Sequence, residues 1–290
     1  MVKMPFSMAI SLRKFICSLF LVPQFRLLST YDSALFIRKT KCGVIVLLLY
    51  VDDMIITGDD TVSISSLKQF LSRQFETKDL GLLSYFLVLE ISHDPFGYFL
   101  TEAKYAFDLL ARAGLTDCKI SLTTIDPQTR LTPLDGHLLF DATLYRQLVG
   151  SLFYLTVTCP DIAYAVHIVS QFMVAPRSPH YDALVRILHY LKGTMFHDLF
   201  YSAYSSPQLH AFSNADWADD PIDHRSTIGF CFFLGDSLLA WRSKKQTLVA
   251  HSSTEAKYRA LADTTQQLVW LRWLLSDMGV SHSTVIKPLL

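Results

Sequence analysis

The sequence predicts an α+β protein, and three stretches carry that prediction. Residues 44–58 are two apolar arms rich in β-branched residues around a pair of acids, with no helical period, which reads as a buried β-hairpin. Residues 145–194 hold three helical segments, two of them opened by Pro160 and Pro179. From Leu209 the chain alternates as short strands, and a long helical stretch closes it, running from Ser253 or Thr254 to about Met278.

Composition bounds the rest. The chain has 290 residues, 51% of them hydrophobic, which is enough for about two domains with a buried core and excludes a disordered protein. Lys and Arg together number 26, as do Asp and Glu, so the net charge is zero. Zero charge removes one argument for a protein that grips many phosphates, though it leaves room for a local basic groove. Cys17, Cys42, Cys118, Cys159 and Cys231 form no CxxC pair, so neither a disulfide framework nor a zinc site is expected, and a reducing compartment (cytoplasm or nucleus) is the default. The apolar runs at 15–22 and 44–51 are too short to span a bilayer, so no membrane partner is expected. Oligomeric state is left open.

Taken in order, residues 1–28 start basic (Lys3, Arg13, Lys14) and contain no acid; the first acid is Asp32. They are read as a leader unrelated to the domain downstream of it, with a targeting segment as the alternative. Residues 29–37 run into a strand, and a turn at 39–43 leads into the hairpin. Its tip holds Tyr50, Val51, Asp52 and Asp53. Two carboxylates at a buried tip repel each other and lose hydration, and a divalent ion such as Mg²⁺ is the natural compensation. An ordinary polar turn is the competing reading of the acids alone.

Asp60 is placed to cap a helix over 62–75, with Ile64, Leu67, Leu71 and Phe75 on one face. A strand at 85–91, a turn at 93–97, a short strand at 98–100 and a helix from Glu102 to Ala113 come next. Residues 125–141 read as loop. Helices are then expected at 145–155, from Pro160, and at 179–194. His167, His180 and His189 lack ligand spacing and are read as surface or satisfied core residues. In the last segment the expected strands are 209–215, 226–234, 237–241 and 247–250, with Arg242 to Gln246 as a turn.

Five phrases in register carry a family resemblance: Asp32 with Leu35-Phe36-Ile37, Tyr50-Val51-Asp52-Asp53, Lys78-Asp79-Leu80-Gly81, Tyr85-Phe86-Leu87 with Glu90, and Lys104-Tyr105. Together they resemble the second half of a copia-type retrotransposon reverse transcriptase. Arg146-Gln147-Leu148-Val149-Gly150 and Leu191-Lys192-Gly193-Thr194 resemble the connection after it, and residues 209–278 resemble the start of its RNase H-like domain. The implied organisation is a leader at 1–28, a partial palm at 29–124, a helical connection at 125–205 and a truncated RNase H-like domain at 206–290.

The resemblance implies DNA synthesis on RNA templates and cleavage of RNA in hybrids, with Mg²⁺ or Mn²⁺ as cofactor and a primer–template of RNA and DNA as partner. It makes Asp52 the main metal ligand with Asp53 beside it, and sets Tyr50 near the primer–template. The family also needs an upstream aspartate, and nothing before Ser29 matches one. In the RNase H-like part Asn214 stands where the first acid is expected, and Lys257 where the second is. Asp216 and Glu255 fall beside those positions. A slip of one helical residue would move Glu255 onto its position but leaves Asn214 an amide. The next acid is expected beyond Leu290. Arg242, Lys244 and Lys245 are candidate phosphate contacts, with a solvated turn as the plain alternative. The expectation is therefore a degenerate, catalytically inactive copy. The alternatives are residual polymerase activity with the missing palm supplied by another chain, and a non-catalytic nucleic-acid or protein-binding module.

Overall fold

The computed structural model describes residues 2–3, 32, 34–51, 53–75, 77–126 and 128–280. Contacts divide them into two compact units: the residues up to 86 together with 266–280, and residues 87–265. The sequence-based boundary between 124 and 125 falls inside the second unit.

The first unit is built on strands β1 (Val2–Lys3), β2 (Leu35–Thr40), β3 (Gly43–Tyr50) and β4 (Asp53–Gly58), helix α1 (Thr61–Gln74) and the short strand β5 (Lys78–Asp79). The sheet order is β2-β3-β4-β1-β5, all antiparallel. Apolar alternation explains the inner strands: Ile45, Leu47 and Leu49 of β3 and Met54 of β4 are buried. Gly58 closes the hairpin with φ +144°, and a Cβ there would stand 2.0 Å from the Val44 carbonyl oxygen, so only glycine fits. Asp60 caps α1 as expected. Its carboxylate accepts from the Ser63 amide (3.0 Å), the Ser63 hydroxyl (2.8 Å) and the Thr40 hydroxyl (2.7 Å). The Ser63 amide is the largest influence holding its pKa below the usual carboxylate range.

Two findings differ from the expectation here. Val2–Lys3, inside the stretch read as an unrelated leader, pairs with Met54 and Asp53 on one side and with Asp79 and Lys78 on the other. The strand expected over 85–91 is broken. Tyr85–Phe86 (β6) ends before Leu87 (φ +50°) and Val88 (φ +75°), whose left-handed backbone cannot continue a strand; pairing resumes in β7 (Leu89–Asp94).

In the second unit, β7 pairs with β8 (Gly97–Thr101). Helices α2 (Ala103–Arg112), α3 (Thr143–Leu155), α4 (Ala163–Ser170, after a 3₁₀ turn at Pro160–Ile162) and α5 (Ser178–Thr194) come next, and β9 (Leu199–Ser202) returns to pair with β8. The helices bury one apolar cluster that includes Leu109, Leu148, Leu152, Val166, Leu184 and Leu188. The buried Tyr145 hydroxyl is satisfied by the Val169 carbonyl at 2.7 Å. His180 is a satisfied core residue: Nδ1 accepts from the Arg177 amide at 3.0 Å, Nε2 lies 2.9 Å from the Thr132 carbonyl, and the ring stacks on Phe172.

Strands β10 (Leu209–Ala215), β11 (Thr227–Leu234) and β12 (Ser237–Lys245) form an antiparallel sheet in that order. The expected turn at 242–246 is instead the end of β12, because Arg242 to Lys245 find partners in Phe230 to Thr227; residues 247–250 have no partner strand and are irregular. Helix α6 (Ser253–Asp277) completes the order of elements. Its Ala256 and Ala260 pack on Ala215 and Ile228 of the sheet, and the Thr264 and Ser213 hydroxyls meet at 2.8 Å.

Candidate functional site

The hairpin tip is a two-residue turn: Tyr50 pairs with Asp53, leaving Val51 and Asp52 between them. Asp52, the first of the two expected metal ligands, lies outside the described residues. Val51 has φ +49°, a conformation that β-branched residues avoid. Two-residue hairpins favour positive φ at this position because it matches the strand twist, so the turn geometry prevails over the side chain. Such local strain is a recurring mark of functional turns. Asp53 is half-buried, and its Oδ1 is shielded from solvent with no hydrogen-bond partner. An orphaned carboxylate oxygen is costly unless a cation or donor satisfies it, so this acid has the chemistry of a metal ligand in waiting. Among the described residues, however, no group of three or more His, Cys, Asp or Glu side chains gathers to hold an ion. Tyr50 is 48% exposed, with its ring edge-on to Phe86 at 6.4 Å, and so is available to an outside partner.

The second unit treats its acids differently. Asp216 accepts from the Thr227 amide at 2.9 Å and closes the connection between β10 and β11. Burial, and then the nearby Asp219 charge, push its pKa up, while its backbone hydrogen bonds pull the other way. Glu255 caps α6: its Oε2 accepts from the His251 amide (2.7 Å), its own amide donates to Ser252 Oγ (3.1 Å), and Oε1 pairs with Arg259 (2.6 Å). The His251 amide is the largest reason its pKa is held down. Glu255 has both oxygens engaged, whereas Asp216 has one oxygen on the Thr227 amide. Asn214 points away from α6, with its Oδ1 accepting from the next residue's amide at 2.9 Å. Lys257 is exposed on α6.

The three basic candidates also separate. Lys245 is consumed: Nζ bonds Asp220, Asp223 (3.0 Å) and Gln171 Oε1 (3.0 Å), and only 18% of its side chain is exposed. Two hydrogen bonds and an ion pair with Asp223 already occupy the ammonium, so it is not free for a phosphate. Lys244 makes a loose, exposed pair with Asp263 at 3.5 Å, and Arg242 is exposed. Sequence reasoning missed this sorting because Asp220 and Asp223 lie 25 and 22 positions from Lys245, beyond any local pattern.

One titratable group escaped sequence reasoning altogether. Glu102, at the start of α2, is 4% exposed, and neither carboxylate oxygen has a hydrogen-bond partner. Burial pushes its pKa up to about 7; the Thr158 hydroxyl opposes this, but that hydroxyl is directed at the Leu155 carbonyl.

Comparison with known proteins places these features in context. A family described as reverse transcriptase (RNA-dependent DNA polymerase) matches residues 14–127. The chain is 42% identical over 260 residues to the retrovirus-related Pol polyprotein from transposon RE2 of Arabidopsis thaliana, covering 89% of this chain and 18% of that protein. To the Pol polyprotein from transposon TNT 1-94 of Nicotiana tabacum it is 35% identical over 279 residues, covering 89% of this chain and 20% of that protein. An uncharacterised mitochondrial protein of Arabidopsis thaliana is 44% identical over 224 residues, an alignment that takes in 77% of this chain and 93% of the relative. The chain therefore spans 18–20% of the length of these Pol polyproteins.

Proposed function

The chain belongs to the reverse-transcriptase family of copia-type retrotransposon Pol polyproteins, and from that premise we propose that this copy is a catalytically silent remnant of an RNA-directed DNA polymerase with its RNase H-like domain. The observation that carries the proposal is the fate of the acids in the RNase H-like part. Asn214 stands at the expected first position; of the two neighbouring acids, Glu255 spends both oxygens on the His251 amide and Arg259, and Asp216 spends Oδ1 on the Thr227 amide. An amide cannot supply the charge a divalent ion needs, and a carboxylate that caps a helix has exchanged that role for a structural one.

In the polymerase part, Asp52 and Asp53 would hold Mg²⁺ or Mn²⁺, the ion supplying positive charge beside a transferring phosphoryl group. Tyr50 would face the primer–template. The family match takes in residues 14–31, which contain no acid, and this supports the view that no third carboxylate joins the pair from there. Of the basic candidates, Arg242 and Lys244 remain as weak phosphate contacts and Lys245 does not.

The test is cleavage of a labelled RNA–DNA hybrid by the full chain in Mg²⁺ and in Mn²⁺. The expected result is no cleavage above the level of a Glu255→Gln variant; cleavage abolished by that substitution would overturn the proposal. A second reading is favoured by the orphaned Asp53 oxygen and the strained Val51: the hairpin is kept in working form and polymerises when another chain supplies the upstream palm. Restored synthesis on adding such a fragment would support it.

A further inference from the structure

The face of the β10–β11–β12 sheet turned away from α6 carries a cavity of about 540 Å³, which takes in Asn214 and Asp216 and extends beyond them over Gly229, Cys231, Trp241 and Ser243. Strand register arranges its floor. Asn214, Gly229 and Ser243 are directly paired across the three strands, and beside them Phe212, Cys231 and Trp241 form the adjacent row. Pro160, Ala163 and Tyr164, at the start of α4, close it from above. The floor is flat because Gly229 has no side chain: a Cβ built there meets nothing within 4 Å. With strands about 4.8 Å apart, Asn214 and Ser243 face each other across roughly 10 Å, with the aromatic edges of Phe212 and Trp241 set the same way in the next row.

The chemistry of this row is specific. Ser243 Oγ is shielded from solvent and has no hydrogen-bond partner. Asn214 Oδ1 is taken by the neighbouring amide, which leaves its NH₂ group to donate. Trp241 is held by a hydrogen bond from its ring nitrogen to the Thr156 carbonyl at 2.8 Å. Burial raises the pKa of the Cys231 thiol, so it is neutral. Strand alternation sends Lys244 to the opposite face, where it meets Asp263, and Lys245 is spent on its own acids. Asp216, at the rim, disfavours an anion. A planar, uncharged ring with polar edges satisfies all of this; a phosphate does not.

We propose that this cavity binds a single unpaired nucleobase without a metal, the ring lying over Gly229 and Cys231 between Phe212 and Trp241, its edges bonded to Asn214 and Ser243. The base comes either from a free nucleoside or from an unpaired position of a single strand. The inference rests on the second unit alone and not on the silence of the polymerase or nuclease parts, so a catalytic result in either direction leaves it standing.

Calorimetric titration of the full chain in EDTA tests it with two probes, adenosine and a ten-residue oligodeoxyadenylate. Saturable 1:1 binding of adenosine is expected. Asn214→Ala weakens it about fivefold, the loss of one neutral hydrogen bond, and Ser243→Ala does the same. Gly229→Val, whose side chain enters open space and so leaves the fold intact, abolishes binding with no loss of thermal stability. Binding of both probes marks a site open to strands, and binding of adenosine alone marks a nucleoside site; either supports the proposal. Absence of saturable adenosine binding, or binding by Gly229→Val at the wild-type level, overturns it.

Discussion

The hairpin tip and the β10–β11–β12 sheet both carry carboxylates, and they hold them in opposite conditions. At the tip, Asp53 retains a buried oxygen with no partner beside a valine in left-handed backbone. In the sheet, Asp216, Asp220 and Glu255 are bonded to amides or cations that belong to the fold. The contrast separates a ligand from a structural acid. Carboxylates poised for an ion are left short of donors, because the ion is the missing partner. Those that have become structural have filled their lone pairs from within the protein.

If the acids of the second unit are structural, removing their partners costs stability. The largest expected effect is at Lys245: replacement by Ala leaves Asp220 and Asp223 facing each other in a partly buried site and destabilises by roughly 2–3 kcal/mol. Denaturant unfolding measures this, and a loss below about 0.5 kcal/mol, the value for an exposed pair, would erase the distinction. Glu102 sharpens the contrast from the other side, as a buried acid whose two oxygens accept no hydrogen bond. Its folded pKa of about 7 lies above its ordinary 4.5, so the folded state holds the proton more tightly. Its presence therefore costs nothing below pH 4.5; the cost grows as pH rises through that window and is constant above pH 7. The stability difference between Glu102→Gln and the wild type should shift in favour of the variant by roughly 2–3 kcal/mol between about pH 4 and pH 8. A flat difference would show that the carboxyl is solvated in solution.

Val51→Gly is expected to stabilise the first unit by roughly 1 kcal/mol, because glycine adopts the left-handed turn without a Cβ clash, offset in part by its greater freedom when unfolded. Thermal melts of the two proteins test it; destabilisation would mean that the turn is not strained. The smallest effect belongs to Lys244→Ala, within about 0.5 kcal/mol of zero, since its pair with Asp263 is long and both side chains are nearly half exposed. Lys244 and Lys245 are neighbours in sequence and read alike there; their predicted difference is a direct product of strand alternation.

Local and periodic features are legible in the sequence. The hairpin arms, the Asp60 cap and the helices of the second unit follow from side-chain spacing, and spacing is a sequence property. The rest depends on partners distant in the chain or on backbone angles. Nothing in the run around Tyr85 announces that Leu87 and Val88 turn left-handed, and β12 extends through Lys245 only because β11 lies alongside. Lys245 reads as a phosphate contact in the sequence because its acids sit across a loop. Glu102 reads only as the start of a helix, because the groups that act on it or feel its charge, Thr158 and Cys159, lie more than fifty residues away. The pairing of Val2–Lys3 beside Asp53 has no sequence signal that we can identify.

Whether the hairpin keeps its acids without their catalysis is decided by primer extension on an RNA template with Mn²⁺, run with the full chain and with Asp52→Asn. A silent remnant incorporates no nucleotide in either form. Incorporation by the wild type that disappears in Asp52→Asn would contradict the reading of this chain as inactive.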